Sequence, residues 1–301
     1  MPPPLPLRFD RTFLAPFAAL ATGIAAAAAA CSGSDGAADP SGDVATEAGV
    51  VRDASREDVI DVGADAAANV DARAPDEIVI QAPGASFAID TKEVSIAQYT
   101  VFRNAPTVAV ASIAGCEWKT SLGPAAGCAP LAGASVDLPI TCIDWCDAQA
   151  YCMAHGKRLC ARIGGGSATT TPERLNPLLD EWSRACGGPM TAERWPYGTV
   201  AMGSLCNTVE HGAGTTIPSG SLAGCTGAPL ALSDMSGNAA EWEDSCVGDA
   251  GGSDAAADRC AVRGGSFSDT ADDAKCSHIA ELGRAAVSPS VGARCCKDLQ
   301  Q

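Results

Sequence analysis

The sequence is poor in histidine and in positive charge. Its 301 residues include only three histidines, His155, His211 and His278, and no Cys-x2-Cys, His-x3-His or His-Glu-x2-His motif occurs. This pattern argues against a zinc finger, a zinc ribbon and a zincin-type metalloprotease. Twenty Lys and Arg residues against 36 Asp and Glu residues give a net charge of −16. A chain this acidic lacks the basic face with which proteins bind nucleic acid.

The sequence also lacks an apolar run long enough to cross a bilayer comfortably. The best candidate, residues 14–30, is 17 residues long, whereas a spanning helix needs about 20. This run follows Arg8 and Arg11 and leads through small residues into Cys31. The arrangement predicts a signal sequence over residues 1–30.

The end of this run, Ala28-Ala29-Ala30-Cys31, resembles a bacterial lipobox. The resemblance implies that the Cys31 thiol is diacylated and becomes the mature amino terminus. Membrane lipid would then hold the protein in the bacterial cell envelope, on the periplasmic or cell-surface side. The alternative is an ordinary signal peptide cleaved near Ala30, which would leave Cys31 as an odd thiol.

The next segment has no aromatic residue and little positive charge. Residues 32–78 contain twelve acidic side chains against Arg52, Arg56 and Arg73. Such a composition cannot build a core and repels itself. We therefore predict a disordered acidic spacer over residues 31–78 rather than a specific acidic site.

The remaining residues, 79–301, are expected to form one domain with few long regular elements. They hold only eleven aromatic residues among many glycine-rich loops, yet most of the 15 cysteines of the chain. Cysteine usage of this kind indicates an oxidising compartment. Disulfide bonds would then supply rigidity that the small core does not.

Two helices and two short strands are predicted in this domain. Asp144 as N-cap and Gly156 as terminator predict a helix with Trp145 on its buried face. A second helix is predicted to open at Asn176-Pro177 and to end at Gly187-Gly188. Its expected buried residues are Leu178, Trp182 and Ala185, and the expected strands are residues 87–89 and 93–96.

An ordered set of short motifs runs along nearly the whole domain. The motifs are residues 87–99, Asp144-Trp145, Tyr151-Cys152, residues 156–159, Glu181-Trp182, residues 195–198, residues 234–242, residues 263–267 and residues 292–295. Single motifs are weak, but their order is specific, and the set resembles the formylglycine-generating enzyme (sulfatase-modifying factor) family. The resemblance implies an α+β fold related to C-type lectins, braced by disulfides.

The resemblance also implies two disulfide pairings. Family members join the cysteine of the Tyr-Cys helix to that of the terminal motif, which corresponds to Cys152 and Cys295. A second bridge corresponds to Cys186 and Cys276, which reproduce the family spacings. Sequence proximity alone suggests three local pairs, and four cysteines then remain unassigned. The local pairs are Cys116–Cys128, Cys206–Cys225 and Cys246–Cys260, and the unassigned residues are Cys142, Cys146, Cys160 and Cys296.

The copper site of the catalytic family members is not expected here. In those members a Cys-x4-Cys pair just after Arg-Gly-Gly-Ser binds copper, because soft thiolates select Cu(I). In this chain residues 267–275 contain no cysteine, and no two cysteines of the sequence are five positions apart. Asp269, Asp272 and Asp273 lie there instead, and their hard oxygen atoms do not replace a Cu(I) dithiolate.

Calcium binding is implied by the resemblance at two places. The family binds calcium with oxygen atoms that correspond to Asp234, Gly237, Ala239 and Glu241, a ligand set that suits this ion. The alternative is a Gly-Asn turn in which Glu241 pairs with an arginine such as Arg263. A second family site corresponds to Asn207 and Thr208.

The preferred functional expectation is a lipid-anchored extracytoplasmic module that binds a protein or carbohydrate ligand or serves as an accessory protein, without catalysis. The alternative is an active oxidase that converts a substrate cysteine to formylglycine through Cys295 and Cys296 or through unpaired cysteines. A third possibility is a purely structural envelope lipoprotein. If Cys31 carries lipid, fourteen cysteines remain, which is enough for seven disulfides with no thiol left for copper.

Overall fold

The computed structural model describes residues 77–128, 134–189, 194–227, 231–248 and 254–299. The predicted signal sequence, Cys31 and all of the predicted spacer except residues 77 and 78 lie outside the described residues. Within those ranges, no helix is both long enough and apolar enough to cross a membrane.

The first sheet joins the beginning of the domain to its end. Its strand order is β1-β2-β10-β3, and all neighbours are antiparallel. Strand β2 is buried throughout and confirms the strand predicted over residues 87–89. The bounds are β1 Glu77–Ile80, β2 Phe87–Asp90, β3 Arg158–Leu159 and β10 Cys295–Asp298.

A second four-stranded sheet forms the other half of the scaffold. Its strand order is β8-β7-β6-β9, with β6 and β9 parallel and the other pairs antiparallel. A small hairpin, β4 with β5, leads into β6. The bounds are β4 Thr226–Gly227, β5 Leu232–Ser233, β6 Ala240–Val247, β7 Arg259–Arg263, β8 Ile279–Gly283 and β9 Val291–Ala293.

Four α-helices lie in the described part of the chain: α1 Ile96–Asn104, α2 Trp145–Ala154, α3 Thr171–Arg174 and α4 Glu181–Gly187. Helix α2 confirms the helix predicted from Asp144. The Asp144 carboxylate accepts a hydrogen bond from the Asp147 N–H at 2.9 Å, and the Asp147 carboxylate accepts one from the Asp144 N–H. This reciprocal cap satisfies two N–H groups that the helix itself leaves free.

The strand predicted over residues 93–96 is wrong, because Ser95 is the N-cap of α1. Its hydroxyl accepts a hydrogen bond from the Gln98 N–H, and the Gln98 side chain accepts one from the Ser95 N–H at 2.9 Å. The Ser-x-x-Gln spacing is a capping-box signature that outweighs the short apolar alternation.

The second predicted helix begins later than expected. Asp180, not Asn176, is the N-cap of α4, and its carboxylate accepts a hydrogen bond from the Ser183 N–H at 2.7 Å. Trp182 and Ala185 are buried as predicted, but Leu178 lies in the preceding turn and is 48% exposed. The Asn176 side chain stabilises that turn by accepting a hydrogen bond from the Leu178 N–H.

Aromatic packing joins the first two helices. The Tyr99 and Phe102 rings of α1 contact the Tyr151 ring of α2, with centroids 6.0 Å and 5.7 Å from it. All three side chains are buried. Because α1 contains no cysteine, this packing of side chains, rather than a disulfide, determines how α1 lies on α2.

Every cysteine in the described ranges forms a disulfide, seven in all. The structure joins Cys152 to Cys295 and Cys186 to Cys276, the two pairings that the resemblance implies. It also contains two of the three expected local bridges. These are Cys206–Cys225 and Cys246–Cys260.

The expected Cys116–Cys128 pair is wrong. Cys116 is joined to Cys146 in the first turn of α2, and Cys128 is joined to Cys142. The second pairing follows from backbone geometry, because the Ala125 N–H donates to the Cys142 carbonyl at 2.9 Å and so places the turn containing Cys128 against it.

The last disulfide joins Cys160 to Cys296. Strand pairing accounts for it, since Cys296 of β10 lies opposite Arg158 of β3, close to the end of that strand. The expected α+β class, with few regular elements and a disulfide-braced core, is thereby confirmed.

Candidate functional site

The loop between β5 and β6 contains the first predicted ligand set. Asp234, Gly237 and Asn238 adopt positive φ angles of 57°, 74° and 61°. A Cβ atom at Gly237 would lie 2.5 Å from the Asn207 carbonyl oxygen, so only glycine fits there. That carbonyl also accepts a hydrogen bond from the Asn238 N–H at 2.8 Å. The loop and Asn207, predicted as parts of two sites, are therefore neighbours.

Glu93, which lies between β2 and α1, binds this loop, a role that was not predicted from the sequence. One carboxylate oxygen accepts hydrogen bonds from the Ser219 hydroxyl at 2.6 Å and the Asn238 amide at 2.7 Å. The other accepts the Ala239 N–H at 2.9 Å. The sole signal was an acidic residue in an otherwise buried opening motif, and the fold buries that residue almost completely.

Glu241 is held by two donors from distant parts of the chain. One carboxylate oxygen accepts the Trp182 indole N–H at 2.8 Å, and the other accepts from the Arg294 guanidinium at 2.8 Å. Glu241 thus pairs with an arginine, but with Arg294 rather than Arg263.

Trp182 explains this choice of partner. Arg263 is the register partner of Glu241 across β6 and β7. The Trp182 indole N–H donates a hydrogen bond to Glu241. The Arg263 guanidinium lies over the face of the same indole, 4.7 Å from the ring centroid. Arg263 instead lies 3.5 Å from the Glu243 carboxylate.

Glu93, Asp234, Glu241 and Arg294 form a buried cluster that we call the carboxylate cluster. Burial raises the pKa of Asp234 to about 6, although a hydrogen bond from the Gly220 N–H acts to lower that pKa. Burial also raises the pKa of Glu93, helped by the charges of Asp234 and Glu241. The cluster contains three carboxyl groups and only one guanidinium, so binding of a proton or a cation would reduce the repulsion between the carboxylates.

The oxygen atoms near Asn207 fit a cation, whereas those of Glu241 do not. Both oxygens of Glu241 already accept hydrogen bonds, and the Arg294 guanidinium beside them repels a cation. Within the described ranges, no three carboxylates here bring oxygen atoms within 4.8 Å of one another. The residues therefore do not fit a calcium ion centred on Glu241.

Asn207 offers an oxygen that nothing else uses. Its amide nitrogen donates to the Thr215 carbonyl and to the Asn238 side chain, at 2.9 Å and 3.0 Å. Its side-chain oxygen is buried and has no hydrogen-bond partner among the residues described. A buried acceptor of this kind fits a cation. The Thr208 carbonyl is less open, because it accepts the His211 N–H at 3.0 Å.

The segment that would carry the copper cysteines forms tight turns instead. The Asp269 carboxylate accepts hydrogen bonds from the N–H and hydroxyl of Ser266, at 2.9 Å and 2.6 Å. Asp273 accepts from the Thr270 hydroxyl, and Asp272 pairs with Lys275 at the surface. These aspartates therefore stabilise the turns locally.

One group with metal-ligand side chains occurs among the described residues, but it includes a disulfide. Cys160, Glu181 and Cys296 bring possible ligand atoms within 4.8 Å of one another. The two sulfur atoms are bonded to each other, and Glu181 pairs with Arg158 at 2.6 Å. This group is therefore structural.

Several solved structures are similar to this chain, and they include the following three. CarF has a TM-score of 0.48 and 20% identity, over 71% of this chain and 87% of its own. Variable protein 1 of Treponema denticola has a TM-score of 0.48 and 15% identity, over 71% and 85%. PvdO from Pseudomonas aeruginosa has a TM-score of 0.48 and 17% identity, over 75% and 92%. No curated protein matches the sequence.

A protein-family model matches most of the chain. It is that of the sulfatase-modifying factor enzyme 1-like domain, and the match runs over residues 43–299. The match begins inside the segment predicted as a spacer, and that boundary stays a prediction. The resemblance inferred from the ordered motifs is confirmed: the chain belongs to the family of sulfatase-modifying factor enzyme 1-like domains.

Proposed function

We propose that this protein is a non-catalytic, disulfide-braced module that acts outside the cytoplasm as a ligand-binding or accessory protein. The observation that supports this proposal is the state of its cysteines. All those in the described ranges are in disulfides, and the shortest sequence separation in any pair is 14. The described part of the chain therefore offers no thiolate pair that could bind copper in the manner of the catalytic family members.

The arrangement of Cys295 and Cys296 favours this proposal over the oxidase alternative. The two residues are consecutive in β10 and bond to different partners, Cys152 and Cys160. All four side chains are buried. An oxidase that used them would first have to reduce two core disulfides.

The anchor at Cys31 remains part of the proposal. Seven disulfides are typical of an oxidising compartment, which agrees with export by the signal sequence. Acylation of Cys31 would then hold the domain at a membrane surface, with residues 32–76 between them. Two or more acyl chains suffice for stable attachment.

A thiol count tests the function and the anchor together. We expect no free thiol in the mature, unreduced protein after denaturation, no Cu(I) binding, and no oxygen consumption with a cysteine-containing peptide. Full reduction of the same sample is the control and should release fourteen thiols. One thiol at Cys31 would contradict acylation, and copper-dependent oxygen consumption would overturn the non-catalytic assignment.

We further propose that a structural calcium ion binds at Asn207. The support is its buried, unpartnered side-chain oxygen and the excess of carboxyl groups nearby. Asp234, Gly237 and Ala239 lie in the adjacent loop, and their backbone and side-chain oxygens are the remaining proposed ligands. Glu241 contributes only if its pairing with Arg294 is released.

Calcium should therefore raise the melting temperature. At a concentration of 100 times Kd, ligand linkage adds about 2.7 kcal/mol to the unfolding free energy, which corresponds to a rise of several degrees. The measurement is differential scanning calorimetry with calcium and with chelator. Asn207→Ala should abolish the difference, while Asn176→Ala, in an exposed turn, should keep it. Identical melting temperatures in the wild type with calcium and with chelator would contradict the site.

A further inference from the structure

A cavity of about 410 Å³ opens beside the Cys186–Cys276 disulfide. Residues 79–81, at the end of β1 and just beyond it, form one wall; the end of α4 forms another, and Arg194 and Pro196 close the cavity. The volume lies within the range of roughly 300 to 1,000 Å³ that is usual for small-ligand sites. The carboxylate cluster contributes no residue to its lining.

The charge of this cavity is opposite to that of the chain. Arg184 and Arg194 line it, and none of its described lining residues is acidic, although the whole chain carries a net charge of −16. In the described ranges, most other arginines pair with carboxylates. No described ion pair includes either cavity arginine.

Arg184 is held in place without using its charge. One of its terminal nitrogens donates to the Gln81 carbonyl at 2.6 Å, which leaves most of its five N–H donors for a ligand. Both arginines are half-buried, so partial removal from water strengthens their attraction for an anion.

A second cavity, of about 460 Å³, also contains basic side chains, but they form ion pairs. Its charged lining residues are the basic Lys157, Arg158 and Lys297 and the acidic Asp298. The three basic side chains are paired, with Lys157 at 2.8 Å and Lys297 at 3.5 Å from Glu77, and Arg158 at 2.6 Å from Glu181. The contrast indicates that the charges beside Cys186 are open to a ligand.

The rest of the first cavity is largely apolar. Val79, Ile80, Pro189 and Pro196 contribute to its walls, and Val79 is 52% exposed. A guanidinium binds a carboxylate through two parallel hydrogen bonds. We propose that this cavity binds a carboxylate carried on a short apolar group, a ligand class that rests on the proposed role as a binding module.

Two sources have this chemistry: a free N-acylated apolar amino acid and the carboxyl end of a peptide. Titration calorimetry on the full mature chain with its disulfides intact distinguishes them. The probes are N-acetylvaline, the acid Ac-Ala-Ala-Val and the same peptide as its amide. We expect the acids to bind and the amide to bind at least about tenfold more weakly. If Ac-Ala-Ala-Val binds more tightly than N-acetylvaline, the ligand is the carboxyl end of a peptide. If the two acids bind equally, the ligand is the free N-acylated amino acid.

The arginines supply the decisive variants. Arg184→Gln and Arg194→Gln should each weaken acid binding at least about tenfold, whereas Arg103→Gln, at an exposed position on α1, should leave it unchanged. Thermal melting checks that the variants fold. Absent binding of both acids at about 1 mM, equal binding of the amide, or unchanged affinity in both cavity variants would overturn the proposal. If any of these results is obtained while the thiol count finds no free thiol, the proposed ligand is wrong and the proposed function stands. Copper-dependent oxygen consumption would instead show that the proposed function is wrong.

Discussion

Arg294→Met should lower the free energy of unfolding by about 3 to 5 kcal/mol, the usual cost of removing one partner from a buried ion pair. The Arg294 guanidinium is buried and contacts the Glu241 carboxylate at 2.8 Å. It also donates to the Asp90 and Ser233 carbonyls at 2.9 Å and 2.7 Å. Its loss leaves several buried acceptors unpaired and the carboxylate cluster without positive charge.

The loss should be larger at pH 8 than at pH 5. The pKa of Asp234 in the fold is about 6, above the ordinary value of an aspartate, so protonation relieves the cluster as pH falls. Without Arg294 the pKa values of all three carboxyl groups rise further, and the stabilising effect of low pH grows. Urea unfolding at both pH values, in the presence of chelator, measures this.

Arg259→Met is the matched control, because Arg259 lies in β7 but is half exposed in its pair with Glu281. It should cost no more than about 1 kcal/mol. Arg294→Met combined with Glu241→Gln should recover part of the stability lost in the single variant. Equal costs for Arg294→Met and Arg259→Met would show that the cluster does not depend on the buried guanidinium.

Local signals in the sequence predicted local structure well where one residue dominated. Asp144 correctly indicated the start of α2, and the short alternation of residues 87–89 correctly predicted β2, although the fold buries every residue of that strand. The start of α1 was equally local, because Ser95 and Gln98 form its capping box, but the short alternation of residues 93–96 predicted a strand there instead. Four residues are too few for alternation to distinguish a strand from the first turn of a helix.

Contacts between distant residues could not be predicted from spacing. Glu93 meets Ala239, 146 positions away, and Trp182 separates Glu241 from Arg263. Nothing in a linear pattern shows that an indole will occupy the space between two oppositely charged strand neighbours. The resemblance supplied the Cys152–Cys295 pairing, whereas sequence proximity failed for Cys116 because folding of α2 brings Cys146 closer than Cys128.

Removal of the Cys152–Cys295 disulfide should destabilise the domain by about 4 to 5 kcal/mol in the chain-entropy account. The bridge spans a sequence separation of 143 and joins α2 to β10. The reason lies mainly in the unfolded state, where the bridge holds together two ends of a long loop that would otherwise move freely. Cys152→Ala with Cys295→Ala removes it without leaving a free thiol.

The control is Cys128→Ala with Cys142→Ala, which opens a bridge with a sequence separation of only 14. Both double variants remove the same atoms, but the loop term makes the longer bridge worth about 2 kcal/mol more. Urea unfolding of the two variants beside the wild type measures the difference. Equal losses would mean that the strain and packing of each bridge, rather than loop length, govern its contribution. A larger loss for the long bridge would show that disulfides which close long loops contribute more to the stability of this domain than local ones do.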